Sequence, residues 1–374
     1  MLLHRRFIRL KALQNLYAFH IAQQANYANA LDQLQAAFQP NPLDSDPATP
    51  AEQALAQAQA LDLLQATLSG TQSTVTASLD VRQAVAQAHT SYQAAQTKDW
   101  GRLQKGLDQA ASAMDQAWIR MIQLLVTWAN YAQKQAERSK LHPSFTSAPT
   151  AVWYQHAVIQ HLQADKAWAQ YVHQHDADWQ QHAHVAAEWY QKFVKENSQV
   201  QQCLTAAAHS SQATALWECL IKGIVLKEGE IKAFFSELDI NWAVHQHIVK
   251  RNTKKAWLAL EAHSQKDINL DELSVTADWE KARKFYIDLV TTTWTRGQEL
   301  EALMVEQTEN WTADRLVLID KIILKLALCE MKYFHDIPIK VSINEYIELS
   351  KTYSTPKSSQ FVNGLLDAAA TTLQ

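Results

Sequence analysis

Cationic side chains near the start of the chain form the first group of residues that could bind a ligand. On a helix of 3.6 residues per turn, three arginines there fall within an arc of about 100°. Leu13 and Leu16 use the same arc farther along, so we predict that the basic turn overhangs the packed body and binds an anion. The alternative is a solvated helix start, although the helix dipole disfavours cations there. The group consists of His4, Arg5, Arg6, Arg9 and Lys11, and no acidic residue precedes Asp32.

Polar, turn-forming residues are concentrated a second time in the stretch IPIKVSINEYIELSKTYSTPKSSQFVNGLLDAA, which begins at Ile337. Pro338 ends the preceding amphipathic helix, because the residue before a proline avoids the α region. The pattern then predicts a helix with Lys340 and Lys351 at its ends. Its predicted core stripe is Val341, Ile343, Ile347 and Leu349.

The loop STPKSS follows this helix and precedes the last one. Ser358 and Ser359 are predicted to cap the last helix. Asn363 and Gly364 have low helix propensity, which is tolerable where an amide faces a ligand or where backbones approach closely. Side chains from two helix ends and one loop could therefore converge on one surface. The alternative is a set of ordinary caps and solvated charges.

The histidines between His156 and His184 include two HxH pairs, which raise the question of a metal site. Alternate residues of a helix point about 200° apart, so neither pair can chelate from one helical face. No carboxylate stands in the ExxH relation of a di-iron bundle. We therefore predict no metal and no cofactor. The sequence also lacks a nucleophile elbow, a P-loop, GxGxxG and HExxH, so we predict that the protein is not an enzyme.

These candidate residues stand in a chain of 374 residues with 47% hydrophobic residues, a net charge of -4, 7 glycines and 8 prolines. Because sheets need frequent tight turns, this composition predicts an all-α protein. Cys203, Cys219 and Cys329 are far apart and odd in number, so we predict reduced thiols rather than disulfides or a zinc site. With no signal-peptide pattern and no apolar run near the ~18 residues of a membrane span, we expect a cytoplasmic protein.

Helical patterns organise the rest of the chain. The first helix is predicted over residues 6–36 and is followed by a linker with prolines at 40, 42, 47 and 50. Residues 51–97 are rich in Ala and Gln and poor in large apolar side chains, so we expect loosely attached helices there. A long core helix is predicted next, with the stripe Met114, Trp118, Met121, Leu125 and Trp128. Further core anchors are predicted at Trp153, Trp168, Trp179 and Trp189.

Several of these segments resemble the NusB family of bacterial transcription antitermination factors. RLVLIDKIILKLALCE and DIPIKVSINEYIELSKTYSTPKSSQFVNGLLD resemble the C-terminal half of the family, and FYIDLV resembles its third helix. RRFIRLKALQNLYAF resembles its basic first helix, in which Ala12, Gln14, Leu16 and Tyr17 match an A-x-Q-x-L-Y pattern. ALCE followed by INEYIEL and YSTPKS resembles the longer Bacteroidetes forms, which insert helical sequence between the first and third family helices.

The resemblance implies a NusB-like helical bundle with a large inserted helical region, divided into four ranges. Residues 1–36 would form the first family helix with its basic start. Residues 37–99 would be a Pro-punctuated and then Ala/Gln-rich insert, and residues 100–274 a further helical insert. Residues 275–374 would form the C-terminal helical core.

The resemblance also implies a function and a set of contacts. NusB-family proteins bind the single-stranded boxA element of ribosomal RNA leaders together with NusE, a small-subunit ribosomal protein, and act on elongating RNA polymerase. Arginines would contact phosphates, and amides and hydroxyls would bind unstacked bases. The implied RNA contacts are Arg5, Arg6, Arg9, Lys340, Lys351, Lys357, Ser358, Gln360 and Asn363. The implied NusE contacts are Tyr17 and Asp320, the latter at a position that is usually glutamate in the family.

Three positions depart from the family pattern. Gln360 replaces the usual lysine before FVNG, and Lys357 stands where relatives are often acidic. Phe7 stands where many relatives carry another arginine. RNA affinity or register could therefore differ from that of the family.

Two other functions compete with RNA-binding antitermination. NusB-like domains also precede RNA methyltransferase domains, but this chain lacks the Gly-rich cofactor loop and the β/α pattern that a methyltransferase requires. Alternatively, the chain could be a helical interaction scaffold whose insert is the working part and whose RNA binding is weak or absent. Charge reversal at Arg5 and Arg6 distinguishes the scaffold from the antitermination factor, since it abolishes RNA binding only in the latter.

Overall fold

A computed structural model describes residues 5–39, 49–72, 74–141, 151–208, 214–262, 269–276, 279–306 and 316–373. Within these ranges the regular elements are all helical and no strand occurs, which agrees with the predicted all-α class. His4 and the linker prolines at 40, 42 and 47 lie outside the described residues.

The helices follow one another along the chain with short 3₁₀ and π-helical segments between some of them. In chain order they are α1 (Arg5–Ala37), α2 (Pro50–Ser69), α3 (Leu79–Leu141), α4 (Ala157–Ala164), α5 (Lys166–Gln174), α6 (Ala183–Trp189), α7 (Ser198–Ala208), α8 (Ala215–Trp217), α9 (Gly229–Leu238), α10 (Trp242–Ala262), α11 (Glu280–Thr295), α12 (Gly297–Glu306), α13 (Leu318–Tyr333), α14 (Ile339–Tyr353) and α15 (Pro356–Leu373). The 3₁₀ segments are Ala151–Gln155 and Leu270–Leu273, and the π-helical segments are Tyr190–Lys195 and Glu218–Val225.

The chain forms two compact units, which we call the terminal unit and the central unit. The terminal unit comprises Arg5–Leu107 and Lys284–Gln374, and the central unit comprises Asp108–Arg283. The four ranges implied by the family resemblance stay a prediction. The observed units divide the chain within α3 and within α11 instead.

The C-terminal helices of the terminal unit pack on one another around α13. α13, α14 and α15 are mutually in contact, and α1 and α12 both pack on α13. The α13 sequence LIDKIILKLALCEMKY is apolar around most of the helix, and its central residues from Ile323 to Cys329 are buried except Lys325. A helix that is hydrophobic almost all round belongs in the middle of a bundle, so α13 is the element on which the others are positioned.

α1 also contacts α3 and α11 inside the terminal unit, and this contact depends on a glycine. The Asn15 amide donates to the Tyr286 hydroxyl (2.7 Å), which donates in turn to the Leu103 carbonyl (2.6 Å). A Cβ at Gly106 would overlap the Asn15 side chain. Gly106 is therefore the residue that allows α1 and α3 to approach this closely.

The Ala/Gln-rich region contains a capped helix and contributes to a small core. The side chain of Thr49 and that of Glu52 form a capping box at the start of α2, and Gly70 ends the helix with a left-handed φ of 70°. A small core lies between α1, α2 and the beginning of α3, and most of its members are Ala or Val. It comprises Ala30, Leu34, Ala60, Leu64, Ala77, Val81, Val85 and Ala88. Small side chains allow the helices to pack closely at this core, but Ala60 and Leu64 are the buried residues of α2, so the expectation of loosely attached helices stays a prediction.

The central unit has a tryptophan-rich core, as the sequence predicted. The predicted stripe of α3 is fully buried, and the four predicted anchors are between 1 and 4% exposed. Two cysteines were predicted wrongly, however. α7 packs against α8 and the following π-helical segment, and this places Cys203 and Cys219 in a disulfide with Cα atoms 6.1 Å apart. Sequence separation could not reveal the pairing because it arises from helix packing.

Candidate nucleic-acid interface

Arg9 of α1 lies inside the terminal unit, in a network of buried polar side chains. Its guanidinium donates to both carboxylate oxygens of Glu330 on α13, from Nε at 2.8 Å and from Nη2 at 2.7 Å. Glu330 is completely buried and also accepts hydrogen bonds from the hydroxyls of Ser342 (2.6 Å) and Tyr346 (3.1 Å). Glu345 lies 3.6 Å from the guanidinium. We call these five residues the Arg9 network.

The charges in the Arg9 network stabilise one another. Burial opposes the charge on Arg9, but the hydrogen bonds and ion pair with Glu330 prevail and raise the pKa of Arg9. Burial, followed by the nearby Glu330 carboxylate, raises the pKa of Tyr346 well above its usual value. The network therefore keeps Arg9 charged beside Glu330 and Tyr346 neutral, and it joins α1 to α13 and α14.

The prediction that the whole basic turn overhangs the body is wrong for Arg9. Arg9 precedes Leu13 by four residues and Leu16 by seven, and all three lie on the buried face of α1. Lys11 is also buried, with its ammonium over the Phe7 ring. The physical reason is that α13 and α14 extend alongside this turn and supply a carboxylate. A side chain that is 3% exposed does not offer its guanidinium to a phosphate.

Arg5 and Arg6 do lie at the surface, with side chains 48% and 58% exposed. Arg5 forms an ion pair with Asp336 (2.9 Å), in the loop between α13 and α14. Arg6 approaches Glu348 of α14 (4.0 Å), and Lys351 binds the other oxygen of the same carboxylate (2.8 Å). Arg6 of the basic start and Lys351 of α14 therefore meet at one carboxylate.

α14 presents a polar face on which Lys340 and Lys351 both lie. Eleven residues of helix turn through about 1100°, so the two lysines are nearly aligned and roughly 16 Å apart along the axis. Both are exposed, and so is Asn344 between them. Val341 was predicted in the core stripe but is 44% exposed. Ser342 and Tyr346 take the buried positions instead, because they bind Glu330.

The loop between α14 and α15 leads into the start of α15, which carries the remaining predicted RNA contacts. Thr355 caps α15, since its hydroxyl accepts from the Ser358 backbone N–H (3.2 Å) and lies 2.9 Å from the Ser358 hydroxyl. The predicted caps Ser358 and Ser359 were therefore wrong: Ser359 is buried and donates to the Pro356 carbonyl. Pro at the first helical position and a Thr just before it form a favourable start.

Three further predicted contacts, all on α15, are exposed. Lys357 and Gln360 lie in the first two turns of α15, and Asn363 follows one turn after Gln360. The Asn363 amide donates to Asp367 (3.2 Å), one turn farther along. We call this set of exposed side chains, together with the half-buried Ser358, the basic surface; it consists of Arg5, Arg6, Lys340, Asn344, Lys351, Lys357, Ser358, Gln360 and Asn363.

The two predicted partner-protein contacts differ in exposure. Tyr17 is 40% exposed on α1. Asp320, in the first turn of α13, is 2% exposed, and its Oδ1 accepts no hydrogen bond from the described residues. In this arrangement the Asp320 carboxylate is enclosed, so the expectation that it faces a partner is not met by the structure.

The carboxylates that organise the arginines were not predicted from the sequence. Glu330, Asp336 and Glu348 each bind one of the three arginines of the basic turn. Glu330 could have been predicted from the sequence as a buried partner, because it is an acidic residue within an otherwise apolar stretch of α13. A buried charge requires a partner. Asn344 was missed as well, although it lies four residues after Lys340 and thus on its face.

The described residues contain no group of three or more His, Cys, Asp and Glu side chains that could hold a metal ion. None of the helices described is both long enough and apolar enough to cross a membrane.

Comparisons with known proteins agree with the resemblance carried by these segments. The model of the NusB family matches residues 247–371. The transcription antitermination protein NusB of Myxococcus xanthus is 38% identical over 120 residues, which are 32% of this chain and 77% of that protein. The NusB of Chloroherpeton thalassium is 43% identical over 24% of this chain, and the match spans only 42% of that relative's length. T. maritima NusB is a solved structure with 33% identity over 27% of this chain and 72% of its own, and a TM-score of 0.25.

Proposed function

The chain belongs to the NusB family, and we propose that it is a transcription antitermination factor that binds the single-stranded boxA element of ribosomal RNA leaders together with NusE. The proposal assigns it no catalytic step. RNA polymerase would be an indirect partner, through the assembled antitermination complex.

The observation that carries the proposal is the meeting of Arg6 and Lys351 on the Glu348 carboxylate. These two cations lie 345 positions apart in the sequence, and folding brings them to one exposed surface. The exposed amides of Gln360 and Asn363 and the half-buried hydroxyl of Ser358, all on α15, would continue that surface. Cations that bind phosphates beside polar groups that bind base edges are what single-stranded RNA recognition requires.

We assign different roles to the members of the basic surface. Arg5, Arg6, Lys340, Lys351 and Lys357 would contact phosphates. Ser358, Gln360 and Asn363 would hydrogen-bond to unstacked bases. Arg9 would not touch RNA; it would position the first turn of α1 through Glu330.

The acidic partners of the basic surface explain how such a site functions in a protein of net charge -4. Asp336 and Glu348 neutralise Arg5 and Arg6 in the free protein, at ion pairs that are mostly solvated. Exposed pairs contribute about 0–1 kcal/mol each, so RNA phosphates can replace the carboxylates at small cost. The same competition would discourage binding to RNA that does not also satisfy the polar groups.

Tyr17 is the NusE contact that the geometry supports. It is exposed on α1, and Ile21, one helical turn later, is 42% exposed. An aromatic and an aliphatic side chain on the same helical face are suitable for a protein partner. The buried Asp320 is left out of this contact.

The test is a fluorescence titration of full-length protein against a boxA RNA oligonucleotide and a scrambled RNA, with and without NusE, at two salt concentrations. The key variant is Arg5→Glu with Arg6→Glu. The matched control is Arg82→Glu with Arg102→Glu, which reverses two exposed arginines of α3 elsewhere in the terminal unit.

We expect boxA-selective binding that NusE strengthens, loss of binding in the Arg5/Arg6 variant, and retention in the control. Equal and weak binding to both RNAs beside an active NusE control would contradict the proposal. Equal loss in both double variants would also contradict it, because general charge would then account for the binding.

A further inference from the structure

The central unit contains a cleft that the proposed RNA-binding role does not use. Its volume is about 340 Å³, within the range of small-molecule sites. Residues of α3, α5 and the segment after α10 line it, and three of them are aspartates: Asp108, Asp115 and Asp271. Its other lining residues include the aromatic side chains Tyr171, His175 and Trp279. No lysine or arginine is among the described residues that line the cleft.

Asp115 supplies a buried carboxylate at the cleft. It is 5% exposed and accepts hydrogen bonds from the Trp118 indole (2.7 Å), the Ser274 hydroxyl (2.5 Å) and the Val275 backbone N–H (2.8 Å). All three donors are neutral. Burial raises the pKa of Asp115 above its usual value, and the three hydrogen bonds and the nearby His175 offset only part of this increase. An ion pair with a cation would stabilise this carboxylate further.

The other two aspartates differ in their partners. Asp108 is held by Arg283, whose Nε lies 3.2 Å from Oδ1. Asp271 is exposed, and its carboxylate forms no ion pair with a described lysine or arginine. Asp271 is thus the acidic residue of the cleft that is available to a ligand at the surface.

Tyr171 is the independent sign of a ligand. It is 6% exposed, and its hydroxyl forms no hydrogen bond with any residue that the structure describes. Burial raises the pKa of Tyr171, and the nearby carboxylates of Asp115 and Asp271 raise it further. Tyr171 lines the same cleft as both of these aspartates. Most of the side chain is enclosed, and its hydroxyl, which has no hydrogen-bond partner among the described residues, is left to bind water or a ligand in the cleft.

We propose that this cleft binds an organic cation through a terminal ammonium or guanidinium group. The carboxylates of Asp115 and Asp271 would share its charge, and the Tyr171 hydroxyl would accept one of its N–H bonds. The aromatic rings that line the cleft would contact the aliphatic part of the ligand and the face of the cation. The cation would come either from a free small amine or from a lysine or arginine side chain of a peptide.

Titration calorimetry of the full chain in the absence of RNA, at about 0.15 M salt to screen diffuse attraction, tests the proposal. The probes are spermidine, a capped lysine peptide and the same peptide with norleucine. The variants are Asp115→Asn, Asp271→Asn and Tyr171→Phe. Glu237→Gln is the matched control, because it removes an exposed acidic residue of the same unit outside the cleft.

We expect saturable binding of at least one cationic probe and none of the norleucine peptide. Asp271→Asn should weaken binding about tenfold, Asp115→Asn at least as much and Tyr171→Phe about threefold, with Glu237→Gln unchanged. Thermal melting of Tyr171→Phe should match the parent protein, since the hydroxyl has no partner to lose. Preference for spermidine or for the lysine peptide identifies the source of the cation.

Two results would overturn the proposal. One is the absence of saturable binding by both cationic probes. The other is binding that Asp271→Asn and Tyr171→Phe leave unchanged while their melting curves show an intact fold.

Discussion

Arg9 and its neighbours Arg5 and Arg6 occupy the same turn of α1 but opposite environments. Arg9 is enclosed and binds Glu330 through two hydrogen bonds, whereas Arg5 and Arg6 are about half exposed and have one carboxylate partner each. By residue type and spacing alone, the three arginines form one cationic group. The difference shows that one basic turn divides into a structural part and an exposed part, which we propose binds RNA.

Ion pairs have different roles in these two environments. In the Arg9 network, the charges cannot be solvated, so each must be satisfied by the protein. At the basic surface, water and salt screen the ion pairs, and the partners can be exchanged for a ligand. The predictions that follow test this division, beginning with the largest expected effect.

Arg9→Met should destabilise the protein by about 3–5 kcal/mol, because it leaves the Glu330 carboxylate buried without its cation. Urea unfolding followed by circular dichroism measures the change. The double variant Arg9→Met with Glu330→Met should be more stable than the single one, since no buried charge remains. Arg82→Met is the control at an exposed arginine. If both variants were equally stable, the role of the buried Arg9 in stability would be contradicted.

Gly106→Ala should destabilise the protein by about 1–3 kcal/mol, because the added methyl group overlaps the Asn15 amide and strains the contact of α1 with α3. Gly101→Ala is the matched control in the same helix, where a Cβ would meet nothing within 4 Å. It should instead stabilise the helix by up to about 1 kcal/mol. If the melting temperatures of both variants shifted in the same direction, the close approach of α1 and α3 at Gly106 would be contradicted.

Arg5→Ala with Arg6→Ala should change the free energy of unfolding by less than about 1 kcal/mol, since both ion pairs are exposed. Its effect should appear in RNA binding. The slope of log affinity against log salt should flatten by about 0.7 for each phosphate that the variant no longer binds. Anisotropy titrations with boxA RNA at several salt concentrations measure the slope; an unchanged slope would remove both arginines from the interface.

The smallest effect is expected for alkylation of the Cys329 thiol in the folded protein. Cys329 is buried beside Glu330 in α13. Burial raises the pKa of its thiol to about 12, so almost no reactive thiolate exists at neutral pH. Iodoacetamide at pH 8 should leave Cys329 unmodified in the folded protein and modify it in urea, as mass spectrometry of its peptide would report. Rapid modification without denaturant would show that this interior opens readily.

Some features of the fold and of the candidate site could be predicted from the sequence, and others could not. The long first helix, the buried stripe of α3 and the four tryptophan anchors followed from periodicity, because helical spacing of large apolar side chains reports burial directly. The grouping of Arg6 with Lys351 came from the family resemblance rather than from spacing. Thr355 was missed as the cap because three neighbouring Ser and Thr residues could all fill that role.

The sequence by itself determined that this chain is helical, which faces of its longest helices are buried, and that it resembles the NusB family. These properties depend on local propensity and on periodicity within single helices. Only the tertiary structure decided that Arg9 is internal, that Cys203 joins Cys219, and that Asp115, Asp271 and Tyr171 share one cleft. Each depends on a contact between distant segments, and the energy of a charge or hydroxyl is set by what surrounds it rather than by its position in the chain.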